Sequence, residues 1–139
     1  MEKYVYLTIG LLTVSVVATA DCVGGTWVTA NSVANNPDIC TAATCNGATF
    51  CKSSGTMNWW SAFTWCASNG LHLASFQEMC PGISTDSPTT CVNLQGVGSD
   101  LWVWSALGKG DRDAFHVNLS TGKIDGGKSR AAGAFALCK

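Results

Sequence analysis

The sequence holds no Cys-x-x-Cys pair and only two histidines, His72 and His116, so a zinc site built from closely spaced thiolates and imidazoles lacks its ligands. Neither a Gly-x-Ser-x-Gly nor a His-Glu-x-x-His pattern is present, which removes the short signatures of serine hydrolases and zinc proteases. Both histidines fall in strand-like segments, and Ser75 is better used as a helix cap. The expectation is a protein that is not an enzyme, with no catalytic residue, metal or cofactor. Net charge is also scarce. A formal -1 over 139 residues gives no overall pull toward nucleic acid or an anionic membrane. No internal repeat or low-complexity tract divides the chain, and its length allows one domain.

What is present begins with an apolar start. MEKY is followed by VYLTIGLLTVSVVATA, a short charged head before about 15 mostly apolar residues and a small-residue ending, the layout of a secretory signal. Residues 1–20 are expected to be a signal peptide cleaved after Ala20. The alternative is a retained hydrophobic helix, although Tyr4 to Ala20 falls short of the roughly 20 residues that span a bilayer. All eight cysteines (22, 40, 45, 51, 66, 80, 91 and 138) follow this segment. An even count in a small exported domain reads as a disulfide framework, and an oxidising compartment would pair any cysteine nucleophile.

Residues 21–47 form a cysteine-containing N-terminal extension rich in Thr, Ala, Asn and Gly, expected to be short strands and loops held by bridges. Beyond it, NWWSAFTWCASNG (residues 58–70) repeats apolar residues at helical spacing. Trp59, Ala62, Phe63 and Cys66 make one stripe, and Trp60, Thr64 and Ala67 lie on a neighbouring face. Asn58 can cap the start and Gly70 the end. Trp59, Trp60 and Trp65 are read as core in preference to a ligand platform. LHLAS alternates as a strand does, and SFQE offers Ser75 and Glu78 as a capping box for a second short helix stopped by Pro81. LWVWSA, AFHVNL and AGAFALC read as later strands.

These segments resemble the C-type lectin-like domain. WWSAFTWCASNGLHLAS is similar to the first helix and following strand of that family, LWVWSA to the strand with its Trp-aromatic motif, and AGAFALCK to its closing strand. The resemblance covers residues 48–139. It implies a disulfide-stapled α+β fold, with two short helices, small antiparallel sheets and long loops, in which Cys66 pairs with Cys138. The family binds sugars through calcium held by Glu-Pro-Asn or Gln-Pro-Asp and Trp-Asn-Asp triplets, and this chain has none of them. The family's second bridge is displaced as well. Cys80 and Cys91 flank PGISTDSPTT and are expected to staple a loop after the second helix. Cys22, Cys40, Cys45 and Cys51 are left to pair among themselves in one of three ways.

Charge is uneven along the chain. Lys109, Arg112, Lys123, Lys128, Arg130 and Lys139 outnumber Asp111, Asp113 and Asp125 in the last part, whereas residues 21–108 carry Lys52 against Asp21, Asp38, Glu78, Asp86 and Asp100. A basic face toward an acidic glycan or protein is one reading and a solvated surface the other. GDRDAF, with Asp111 and Asp113 around Arg112, reads as a solvated turn. Asn118-Leu119-Ser120 is a glycosylation sequon that matters only in a host that modifies it.

Two function classes follow. The first is an exported binding module that recognises a protein or glycan at a cell surface without calcium, through the region between Cys80 and Arg112, with Asp100, Lys109 and Arg112 as candidate contacts. The alternative is a structural subunit of a surface filament or assembly that keeps residues 1–20 as a hydrophobic helix and associates with copies of itself. Either way the protein is secreted or at the cell surface, with no nucleic-acid partner and no membrane contact unless residues 1–20 are retained.

Overall fold

A computed structural model of the chain describes residues 21–31, 48–83 and 89–139. The expected signal segment 1–20, and Cys40 and Cys45 with their pairing, lie outside the described residues. The domain is mixed α+β. Its strands are β1 (Gly25–Thr29), β2 (Thr49–Met57), β3 (Trp102–Lys109), β4 (Asp113–Asn118), β5 (Ile124–Ser129) and β6 (Ala134–Cys138). Helix α1 (Trp59–Ser68), the single turn α2 (Phe76–Met79) and a 3-10 turn (Val92–Leu94) lie between β2 and β3.

The strands form one six-stranded sheet in the order β1-β2-β6-β3-β4-β5, not several small antiparallel sheets. All pairings are antiparallel except β3 with β6, which run parallel with Val103 opposite Phe135. The C-terminal strand joins two antiparallel ladders, β1-β2 and β3-β4-β5, that would otherwise be separate sheets. It is long-range pairing, which no local pattern encodes, that merges them.

Local chemistry shapes the elements. Asn58 accepts a bond from the Ser61 N–H at the start of α1, and Gly70, at φ 71°, follows its C-cap. Ser75 and Glu78 make a reciprocal capping box on α2. Strand β2 loses register against β6 between Lys52 and Thr56. There the Ser53 hydroxyl donates to the Gly55 carbonyl at 2.8 Å and accepts from the Ala136 N–H at 2.9 Å, taking the place of ladder bonds. LHLAS does not form a full strand. Leu73 makes a single antiparallel bridge with Cys138, and Ala74 donates to Leu137 while accepting from Ala106. The segment wedges between the diverging ends of β6 and β3, so its bonds are divided between two partners.

The sheet separates two apolar clusters because its side chains alternate. Phe50, Val103, Phe115, Val117 and Leu137 pack with Phe76, Met79 and Leu94 on one face, and Trp104, Ala114, Ala136, Cys51 and Cys138 pack with Ala62 and Cys66 of α1 on the other. Among the described residues three disulfides brace these layers. Cys66–Cys138 ties α1 to β6, Cys22–Cys51 ties the start of the described chain to β2, and Cys80–Cys91 closes the loop after α2. Gly25 is required beside Cys22, since a Cβ there would collide with the Lys52 carbonyl and sit 3.1 Å from the Cys22 sulfur.

Candidate functional site

The three candidate contacts do not share one place. Asp100 precedes β3, whereas Lys109 ends it and Arg112 lies in the turn to β4. The eight-residue strand between them spans roughly 26 Å at about 3.3 Å per residue. Asp100 also has a structural partner, as its Oδ1 accepts from the Asn118 side-chain amide at 2.6 Å. Asn118 is buried, and its own oxygen accepts from the N–H groups of Ser120 and Thr121. In the folded domain the sequon asparagine is therefore committed to holding the β4–β5 turn.

Lys109 and Arg112 do flank one turn, with Arg112 exposed in it. Lys109 extends over Gly126 and places its ammonium 5.7 Å from the Phe115 ring centroid, on the face away from α1. On the α1 face the turn is joined by Arg130, whose N–H donates to the Arg112 carbonyl and whose own carbonyl caps the Trp59 N–H. The Arg130 guanidinium lies 4.4 Å over the Trp59 ring and donates to the carbonyls of Asp113 and Gly110. Lys128 occupies the same face, opposite Ala114. None of Lys109, Arg112, Lys128 and Arg130 has a carboxylate partner within ion-pair distance among the described residues.

Aromatic rings continue this basic corner along α1. Trp59 donates its indole N–H to the Ser105 carbonyl and meets Phe63 edge-to-face at 4.8 Å and Trp60 at 6.3 Å. Trp60 is 54% exposed and Phe63 38%, so the core reading of Trp60 and the inward placement of Phe63 need correction. At 100° per residue, a helix whose inward line runs through Ala62 and Cys66 half-buries Trp59 and Trp65, leaves Phe63 at the rim and turns Trp60 to solvent. Trp60 also lines an open groove of about 520 Å³ with Met57, Ser61, Thr64, Trp65 and Ser68. Among the described residues the lining is uncharged, combining apolar surface with three hydroxyls.

The two histidines have separate environments. His116 is buried, stacks on Trp102 at 4.2 Å and hydrogen-bonds through Nδ1 to the Asp125 carbonyl, which fixes the proton on Nδ1 because a carbonyl can only accept. Burial holds its pKa below the ordinary histidine value, outweighing the Asp125 carbonyl and carboxylate, and the Lys128 charge pushes in the same direction as burial. His72 is exposed and places Nε2 2.9 Å from both carboxylate oxygens of Glu78. Partial burial raises the Glu78 carboxyl, yet the Ser75 N–H, His72 and the Ser75 hydroxyl outweigh it and leave it below the usual carboxylate value. Among the described residues neither histidine side chain hydrogen-bonds to a serine or cysteine. Among the described residues no group of three or more His, Cys, Asp and Glu side chains is arranged to hold a metal, and no helix is long and apolar enough to cross a membrane.

A smaller cavity of about 180 Å³ lies at the stapled loop, lined by Cys80, Pro81, Gly82, Ile83, Thr90 and Val92. Among the described residues its lining carries one side-chain hydroxyl and no ionisable side chain. No family model matches the chain, and no curated protein matches it. Of the corner's parts, sequence reasoning found Arg112 through its turn and counted Lys128 and Arg130 only as charge. Nothing local ties Arg130 to Trp59, since 71 positions separate them and only the β2–β6 pairing brings them together.

Proposed function

We propose that the chain is an exported, C-type lectin-like binding module that holds a partner at a cell surface without calcium and performs no catalysis. The observation that carries this reading is the topology. Strands β2 and β6 lie side by side at the two ends of one large loop, β6 is inserted beside β3, and Cys66–Cys138 locks the first helix to the last strand. Within the connection from α2 to β3, Cys80–Cys91 closes a smaller loop of 11 positions. Two loops stapled in this way support the reading of the chain as C-type lectin-like. The disulfides fit an oxidising compartment outside the cytosol, and an exposed basic and aromatic corner on a braced scaffold fits recognition better than chemistry.

The test is binding by the mature protein to arrays of immobilised glycans and cell-surface proteins, with and without EDTA. Retention that survives EDTA is expected. A protein that binds nothing on either array, or binds only with calcium, ends this reading. Mass spectrometry of the mature N-terminus should give a chain starting at Asp21, and a retained Met1 would favour the filament-subunit alternative.

A further inference from the structure

The corner built by Arg112, Lys128, Arg130 and the α1 rings has two chemistries side by side. Its cations are unpaired, because no carboxylate comes within ion-pair distance of them among the described residues. Arg130 spends only two of the five guanidinium N–H donors, on the carbonyls of Asp113 and Gly110. With its plane fixed on Trp59, the remaining donors are oriented before any ligand arrives, which lowers the ordering cost of binding. Next to this charge, Phe63 and Trp60 expose ring surface, and beyond Trp60 the groove presents the hydroxyls of Ser61, Thr64 and Ser68 without a charged side chain.

We propose that this corner binds an acidic polysaccharide, with carboxylate or sulfate groups held by Arg112, Lys128 and Arg130 and sugar rings laid against Phe63 and Trp60. The proposal rests on the binding-module reading above and names the ligand class. Charge complementarity demands an anion, and guanidinium groups match the geometry of carboxylate and sulfate oxygens. The aromatic and hydroxyl part selects among anions. A saccharide offers apolar C–H faces for the rings and hydroxyls for the groove, with its charges spaced along a polymer. An acidic peptide would use the cations and leave the uncharged groove unmatched.

The experiment measures binding of the full mature protein to hyaluronate (carboxylate-bearing), dextran sulfate, neutral dextran and poly-glutamate at low and physiological salt. Binding to at least one of the two acidic polysaccharides is expected, weakening as salt rises, with little or none to dextran. Arg112→Ala combined with Lys128→Ala should weaken it roughly three- to tenfold, as expected for two surface charge contacts, one exposed and one half-buried. Trp60→Ala should weaken it roughly threefold with an unchanged melting temperature, whereas a change for poly-glutamate is not expected. Arg130→Lys keeps the charge but loses the planar fork, and should also weaken binding.

Equal binding to poly-glutamate, with no effect of Trp60→Ala, would replace the polysaccharide by an acidic protein partner. Failure to bind either acidic polysaccharide overturns the proposal. If the same preparation still binds a neutral glycan or a surface protein on the arrays, the module reading stands and only this ligand class falls. If it binds nothing, both fall together.

Discussion

At the scale of single residues, burial decides which tryptophans the fold depends on. Trp104 is fully buried in the α1-side cluster and donates its indole N–H to the Met57 carbonyl at 2.8 Å. Trp104→Ala should cost about 3 to 5 kcal/mol in urea unfolding, with an additional loss because Met57 is left unpaired. Trp60, on the same run of aromatic residues that the helix spacing assigned to the core, should cost no more than about 0.5 kcal/mol when changed to alanine. A comparable loss in both variants would mean that the outer groove is covered. Titration gives a second residue-scale expectation. The folded His116 has a pKa below its ordinary 6.5, so between those values the unfolded chain binds a proton that the folded chain does not. Stability is therefore full above about pH 6.5 and falls as the pH drops from there toward the folded value. Glu78, whose carboxyl is depressed, loses its contribution in a lower window, as the pH falls from about 4.5 through its folded pKa. Unfolding free energies at pH 7.5 and 5.5 for the wild type and His116→Asn separate the first effect, and the variant should show the smaller fall.

At the scale of elements, the bridges should rank by the chain they close. Cys66–Cys138 encloses 72 positions, Cys22–Cys51 encloses 29 and Cys80–Cys91 encloses 11, which the chain-entropy relation converts to about 4.5, 3.5 and 3 kcal/mol. Replacing each pair by alanines should lower the melting temperature in that order. If the 80–91 pair proves the most costly, the stapled loop is part of the core and not a surface loop. Elements also differ in how much of them could be read from sequence. LWVWSA, AFHVNL and AGAFALC announced themselves as strands because β-branched, aromatic and small apolar residues alternate or run together there. Ile124–Ser129 did not, since its IDGGKS sequence has two glycines and becomes a strand only by pairing with β4. Thr49–Met57 is mostly polar and needs Ser53 to patch its irregular register. The caps at Asn58 and Ser75 were legible because a cap is local chemistry. The corner around Arg130 was not, because its residues come from α1, the β3–β4 turn, β5 and the β5–β6 turn, and only the assembled sheet sets them together.

At the scale of the whole molecule, stability comes from two thin cores on either side of one sheet, with covalent bridges in place of a large apolar interior. Small domains of this kind are commonly completed by disulfides or by metals, and this one carries three disulfides among its described residues. A metal would have to come from carboxylates, and among the described residues no group of three or more His, Cys, Asp and Glu side chains is arranged to hold one. Adding EDTA to the purified protein should therefore leave its melting temperature nearly unchanged. A specific calcium site filled to 100 times its dissociation constant would contribute about 2.7 kcal/mol, and its loss would appear as a fall on the order of 10 °C for a domain of this size. Reduction should do what chelation does not. With the bridges opened, the thin cores must hold the sheet alone, and the same melting experiment in a strong thiol should show a large fall or no cooperative transition. A chelator-sensitive drop in the oxidised protein would place a metal in the framework and remove the calcium-independent reading of its surface.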